Sequence, residues 1–96
     1  MQSNSFTIRN QLGLHARPAV QFVQTAAKFK ARIHVRNATR GTHFVDAKDL
    51  LGVLSLTVAQ NQQIEITTEG EDEQTALESI GRLIESDFAE SAATQA

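Results

Sequence analysis

The 96-residue chain contains no cysteine, which excludes disulfides and thiolate metal sites outright. Tryptophan and tyrosine are also missing, and the aromatic complement is five phenylalanines. A base-stacking α/β domain needs aromatic rings suitably placed on its strands and a glycine-rich loop, and this chain offers neither, so no nucleic-acid partner is expected. No apolar run approaches the ~18 residues of a membrane span. The opening MQSNSFTIRN carries no apolar targeting segment either. The expectation is a cytoplasmic protein with no membrane partner. A chain of this length builds one core and has little room for an enclosed cavity, so its chemistry belongs on the surface.

Net charge is only −2, but it is unevenly spread. Residues 1–48 hold eight Lys or Arg against Asp46 alone, whereas 49–96 hold Arg82 against ten acids. Such a split implies a basic face for an anionic group or acidic partner. The alternative is that the two halves interleave in the fold and cancel.

Phe6 and Ile8 alternate with Thr7 and Arg9, the period of a half-buried strand. Asn10 to Gly13 breaks it. Ala19, Phe22, Val23, Ala26 and Phe29 then form the apolar stripe of an amphipathic helix, with Gln21, Gln24, Thr25 and Lys28 on its far side. Ala31 to Arg36 alternates again, with Ile33 and Val35 inward. After a turn at Gly41, His43, Val45 and Ala47 line one face of a third strand. Asp49 reads as the N-cap of a short helix over Leu50–Leu54, weakened by Gly52. Asn61 suits a left-handed turn. Ile64, Ile66 and Thr68 give a fourth strand, and Glu71, Asp72 and Glu73 favour a helix start. Ala76, Leu77, Ile80, Leu83, Ile84 and Phe88 are the stripe of that last helix, followed by a small, polar tail that frays from Ala89. One-faced strands and one-striped helices pack most economically as a single sheet with helices on one side. The hairpin of strands two and three must be antiparallel.

Chemistry concentrates in Gly13-Leu14-His15-Ala16-Arg17-Pro18-Ala19, where a loop enters the first helix. Pro18 suits a first turn, since its missing N–H would be unpaired there anyway. His15 thus sits at the positive end of a helix dipole, beside free backbone N–H groups, which is an anion site. A group that receives phosphate needs a lone pair near neutral pH, which imidazole has, and donors for the phosphate oxygens, which helix N–H groups and a guanidinium supply. An exposed helix end holds an anion modestly enough to release it. Taken singly, His15, Arg17 and Gly13 read as a cap, a solvated charge and a turn residue.

Together, Leu12 to Ala19 resemble the active-site signature of HPr, the histidine-containing phosphocarrier family of the bacterial phosphotransferase system. The resemblance runs from about Phe6 to about Phe88. It implies an α+β, open-faced two-layer sandwich of βαββαβα order, with a four-stranded antiparallel sheet in order 1-4-2-3 and three helices on one face. It implies phosphorylation of His15 through Nδ1, with Ala16 and Arg17 at the phosphate. The implied donor is enzyme I, charged from phosphoenolpyruvate, and the implied acceptors are enzyme II A domains. The protein would then be a monomeric carrier without cofactor or metal, not a stand-alone catalyst, formed by one domain over residues 1–88.

Lys48 to Gly52 resembles the segment where many relatives carry a regulatory serine. Asp49 stands at that position, and a serine kinase cannot phosphorylate it; it is either simply the cap or a fixed mimic of the phosphorylated residue. Leu50, Leu51 and Leu54 cannot all face the core of so short a helix, and the resemblance makes them a docking patch for partners, regulatory proteins among them. Thr57 and Asn61 stand where many relatives have glycine. His34 and His43 match no family motif and are expected on strand faces. Arg36-Asn37 and Ser86-Asp87-Phe88 resemble the nitrogen-regulatory branch, so the alternatives are sugar uptake, that branch, or a purely regulatory binding protein.

Overall fold

The computed structural model describes residues 1–88. Its elements are β1 (Gln2–Thr7), α1 (Ala16–Ala27), β2 (Arg32–Asn37), β3 (Val45–Asp46), α2 (Leu50–Ser55), β4 (Gln63–Glu69) and α3 (Glu73–Glu85). The tail expected to fray from Ala89 lies outside the described residues. The four strands form one antiparallel sheet in the order β1-β4-β2-β3. The helices cover one face of it, as the fold class anticipated from the sequence requires.

Alternation decides which side of each strand goes inward. Ile33 and Val35 on β2 and Ile64, Ile66 and Thr68 on β4 are buried, with Ile8, Phe22, Val53 and Ile80 in the same core cluster. Phe88, one turn beyond α3, is buried as its stripe predicts. The opposite face carries Arg32, His34 and Arg36, registered against Glu69, Thr67 and Glu65. Arg36 Nε donates to Glu65 Oε1 at 2.8 Å, and Arg32 stands 3.9 Å from Glu69. The basic and acidic halves of the chain therefore interleave on this face and neutralise each other there.

Asp72 shows how a helix start is fixed by something other than its own cap. It occupies the N-cap position of α3, yet its carboxylate accepts no bond from that helix. Instead Oδ2 accepts Lys30 N–H at 2.9 Å and Oδ1 accepts Ala31 N–H at 2.8 Å. These bonds, the Lys30 one first, hold its pKa below the usual 3.8. The junction of β4 with α3 is thereby tied to the entrance of β2.

Four local expectations are corrected. Gln21, assigned to the solvent side of α1, is only 4% exposed, on a helix that packs against α2 and α3 as well as lying over the core. Phe29 lies beyond the end of α1, although it still packs on the core. The third strand is two residues long, so His43 stands outside it and is exposed; Ala47 is held next to it by its N–H bond to Ile33 O at 2.9 Å. Asp49 is the N-cap of α2 by backbone, but its side chain makes no capping hydrogen bond. Its carboxylate instead lies over Gly52. The left-handed turn at Asn61 is present, with φ 70, and Thr57 adopts φ 45 without glycine's freedom.

Candidate functional site

The loop between β1 and α1 is built by contacts made far along the chain. Asn10 starts a tight turn: its carbonyl accepts Gly13 N–H at 3.0 Å, while its Nδ2 donates to Gly13 O at 2.6 Å. Gly13 has φ +65, and a Cβ there would lie 2.2 Å from Val58 O. Glycine is required twice over, by backbone angle and by close approach. Leu14 follows, fully buried, with its N–H on Val58 O at 2.9 Å. The segment 58–62 is itself tied to β1's end, since Asn61 N–H donates to Ile8 O at 2.6 Å and Ile8 N–H to Gln62 O at 3.0 Å.

His15 emerges from this anchored loop exposed to solvent. It is the N-cap of α1, in an extended conformation, and its side chain makes no capping bond. The ring is therefore not spent on the helix. Ala16 has φ 51, a left-handed conformation that costs a non-glycine residue about 1–2 kcal/mol. Arg17 is exposed in the first turn, beside half-buried Pro18, and that turn holds no acidic residue. The first-turn N–H groups of a helix lack intrahelical partners and carry its positive end, so an anion beside His15 meets donors and no carboxylate of this turn.

Leu50 is 36% exposed and Leu51 77%, whereas Leu54 is partly buried against the core and Val53 is fully buried. Helix α2 thus anchors through Val53 and turns Leu50 and Leu51 outward, while packing against α1. Asp49 is exposed at its start. Leu12, in the loop before His15, is 63% exposed and Val20 on α1 38%; the sequence reading gave neither a surface role, and an apolar residue between turn-forming neighbours was the available signal. Asn10, Val58 and Ala59, whose Cα would lie 3.0 Å from a Cβ on Gly13, were also missed. The spacing of Asn10 and Gly13 signals a turn, but nothing local to residues 58–59 marks them as the loop's support. His34 lies on the open face of the sheet, opposite Asp46 and Thr67, away from the helices and from His15.

Residues 2–86 match the family model described as the PTS HPr component phosphorylation site. The phosphocarrier protein HPr of Xylella fastidiosa strain Temecula1 is 38% identical over 90 residues, which cover 94% of this chain and 98% of that protein. The multiphosphoryl transfer protein of Haemophilus influenzae is 42% identical over 80 residues, but the match spans only 16% of its length. Among solved structures, HPr-C-His from Thermoanaerobacter tengcongensis superposes with a TM-score of 0.87 at 42% identity, over 93% of this chain and 97% of that one.

Proposed function

Because the chain belongs to the HPr family of phosphocarriers of the phosphotransferase system, we propose that it accepts a phosphoryl group on His15 from enzyme I and passes it to enzyme II A domains in sugar uptake. The observation that carries this reading is His15 itself: exposed, unspent as a cap, and standing at the mouth of α1 next to Arg17. The His15 Nδ1 lone pair attacks the phosphorus of the phosphorylated donor. As the new N–P bond forms, the donor's own bond to phosphorus breaks and the donor atom keeps the electron pair. The second transfer repeats this step with His15 as the leaving nitrogen.

Arg17 and the first-turn N–H groups, including that of Ala16, take the phosphate oxygens during both passages. Their hold is that of an exposed helix end, about 0.3–1 kcal/mol for the dipole contribution, which leaves the group transferable. Leu50, Leu51 and Leu54 on α2 offer partners an apolar patch, and Asp49 sets a fixed negative charge at its edge without a hydroxyl for a serine kinase. The protein acts in the cytoplasm as a monomer over residues 1–88. It is a covalent intermediate of the transfer chain and not a stand-alone catalyst.

Incubation with enzyme I and phosphoenolpyruvate tests the reading. An acid-labile phosphate that His15→Ala abolishes is the expected result; label that survives the substitution refutes it.

A further inference from the structure

The loop carrying His15 contains a polar group that folding alone does not explain. Asn10 Oδ1 is buried from solvent and has no hydrogen-bond partner, although the same carboxamide's Nδ2 is engaged at 2.6 Å with Gly13 O. A buried acceptor left unsatisfied offsets what the single bond from Nδ2 returns. Asn10 is therefore a poor choice if stabilisation of the turn is all that is asked of it. Unsatisfied groups and left-handed non-glycine residues are tolerated where geometry matters more than stability, and this loop has both within seven residues, Asn10 and Ala16 at φ 51.

We propose that Asn10 is a positioning residue for phosphoryl transfer: its carboxamide fixes the Gly13 carbonyl, and through buried Leu14 the place and direction of the His15 ring. The turn is closed from both sides by one residue, since the Asn10 backbone carbonyl takes Gly13 N–H and its side chain takes Gly13 O. Without the side-chain bond, the peptide plane between Gly13 and Leu14 is held on one edge only, by Leu14 N–H on Val58 O. Tilting that plane swings the next residue but one, because His15 has no cap bond of its own to resist. Asn10 is only part-buried and precedes the exposed Leu12, so the loop has room to shift without the core opening.

This inference rests on His15 being the acceptor, and the experiment separates the two. Asn10→Ala removes donor and orphaned acceptor together; Asn10→Asp keeps the shape and an acceptor but loses the donor to Gly13 O. Both are assayed with enzyme I and phosphoenolpyruvate for the maximal transfer rate and the half-saturating carrier concentration, alongside thermal melting and the NMR shifts of the His15 ring. The expected result is a maximal rate lower by tenfold or more in both variants, a half-saturating concentration within about twofold, a melting temperature near that of the wild type for Asn10→Ala, and altered His15 ring shifts. A rate equal to wild type in either folded variant overturns the proposal. So does a loss of rate that follows the unfolded fraction, or one confined to half-saturation. Wild-type protein that accepts no phosphoryl group overturns the carrier reading first, whereas a phosphorylated wild type with an equally fast Asn10→Ala variant overturns this inference alone.

Discussion

Arg17 and Gly13 illustrate two different ways in which a side chain can matter at one site. Arg17 is exposed on the first turn of α1, so what it contributes to folding is on the scale of a surface polar interaction, ~0–1 kcal/mol. In the proposed transfer its value is larger, because a guanidinium can hold two phosphate oxygens in one plane and an ammonium cannot. Arg17→Lys is expected to leave the melting temperature unchanged and slow phosphotransfer about 10–100-fold, the equivalent of one charge-assisted hydrogen bond. Equal rates, or a loss of rate that tracks a loss of fold, would contradict this. Gly13 acts in the reverse sense, touching no phosphate but permitting the loop to exist. Gly13→Ala adds a Cβ 2.2 Å from Val58 O at a φ of +65, so a destabilisation of about 2–5 kcal/mol is expected from overpacking and backbone strain together, read by urea unfolding.

At the scale of elements, what the sequence disclosed depended on whether the cause was local. Strands β2 and β4 and helix α3 were legible because period and burial coincide along consecutive residues, from Ile33 and Val35 to Ala76 and Ile80. The loop-to-helix geometry of the candidate site was legible from Gly13 to Pro18, since a loop, a histidine and a helix start are neighbours in the chain. Gln21 was misplaced because the expectation came from α1 alone, and the packing of α1 against α2 and α3 is recorded in no single-helix pattern. The third strand was overextended for a related reason: His43 continues the alternation, but pairing with β2 reaches only Val45 and Asp46. Asp49 was placed correctly as a backbone cap, yet its carboxylate makes no capping bond, so Asp49→Ala is expected to cost less than about 0.5 kcal/mol, against ~1 kcal/mol for an engaged cap. Melting curves of the two proteins decide it. On the same helix, Leu51 stands 77% exposed, and Leu51→Ser should leave stability alone while raising the half-saturating concentration for a partner about tenfold, the scale of one leucine removed from an interface. No change in that concentration would remove Leu51 from the docking patch.

For the molecule as a whole, the acid limit of stability falls partly on Asp72. Lys30 N–H and Ala31 N–H hold its folded pKa below 3.8. The stabilisation it provides is therefore fully present above its unfolded pKa and is lost as pH falls through the lower, folded value. Asp72→Asn should lower the melting temperature at neutral pH and flatten its decline below about pH 4; parallel acid profiles for the two proteins would rule the linkage out.

The carbonyl of Val58 beneath Gly13 and Leu14 has a consequence for the chain's history as well as its equilibrium. During synthesis His15 leaves the ribosome more than forty residues before its support does. A nascent or truncated chain lacking residues 58–62 has the motif in full but nothing against which to seat it. On the reading proposed above, such a chain is expected to be charged poorly, so that high-energy phosphate is not committed to copies that have yet to fold; a chain truncated before residue 58 that is charged as fast as the full one would contradict this.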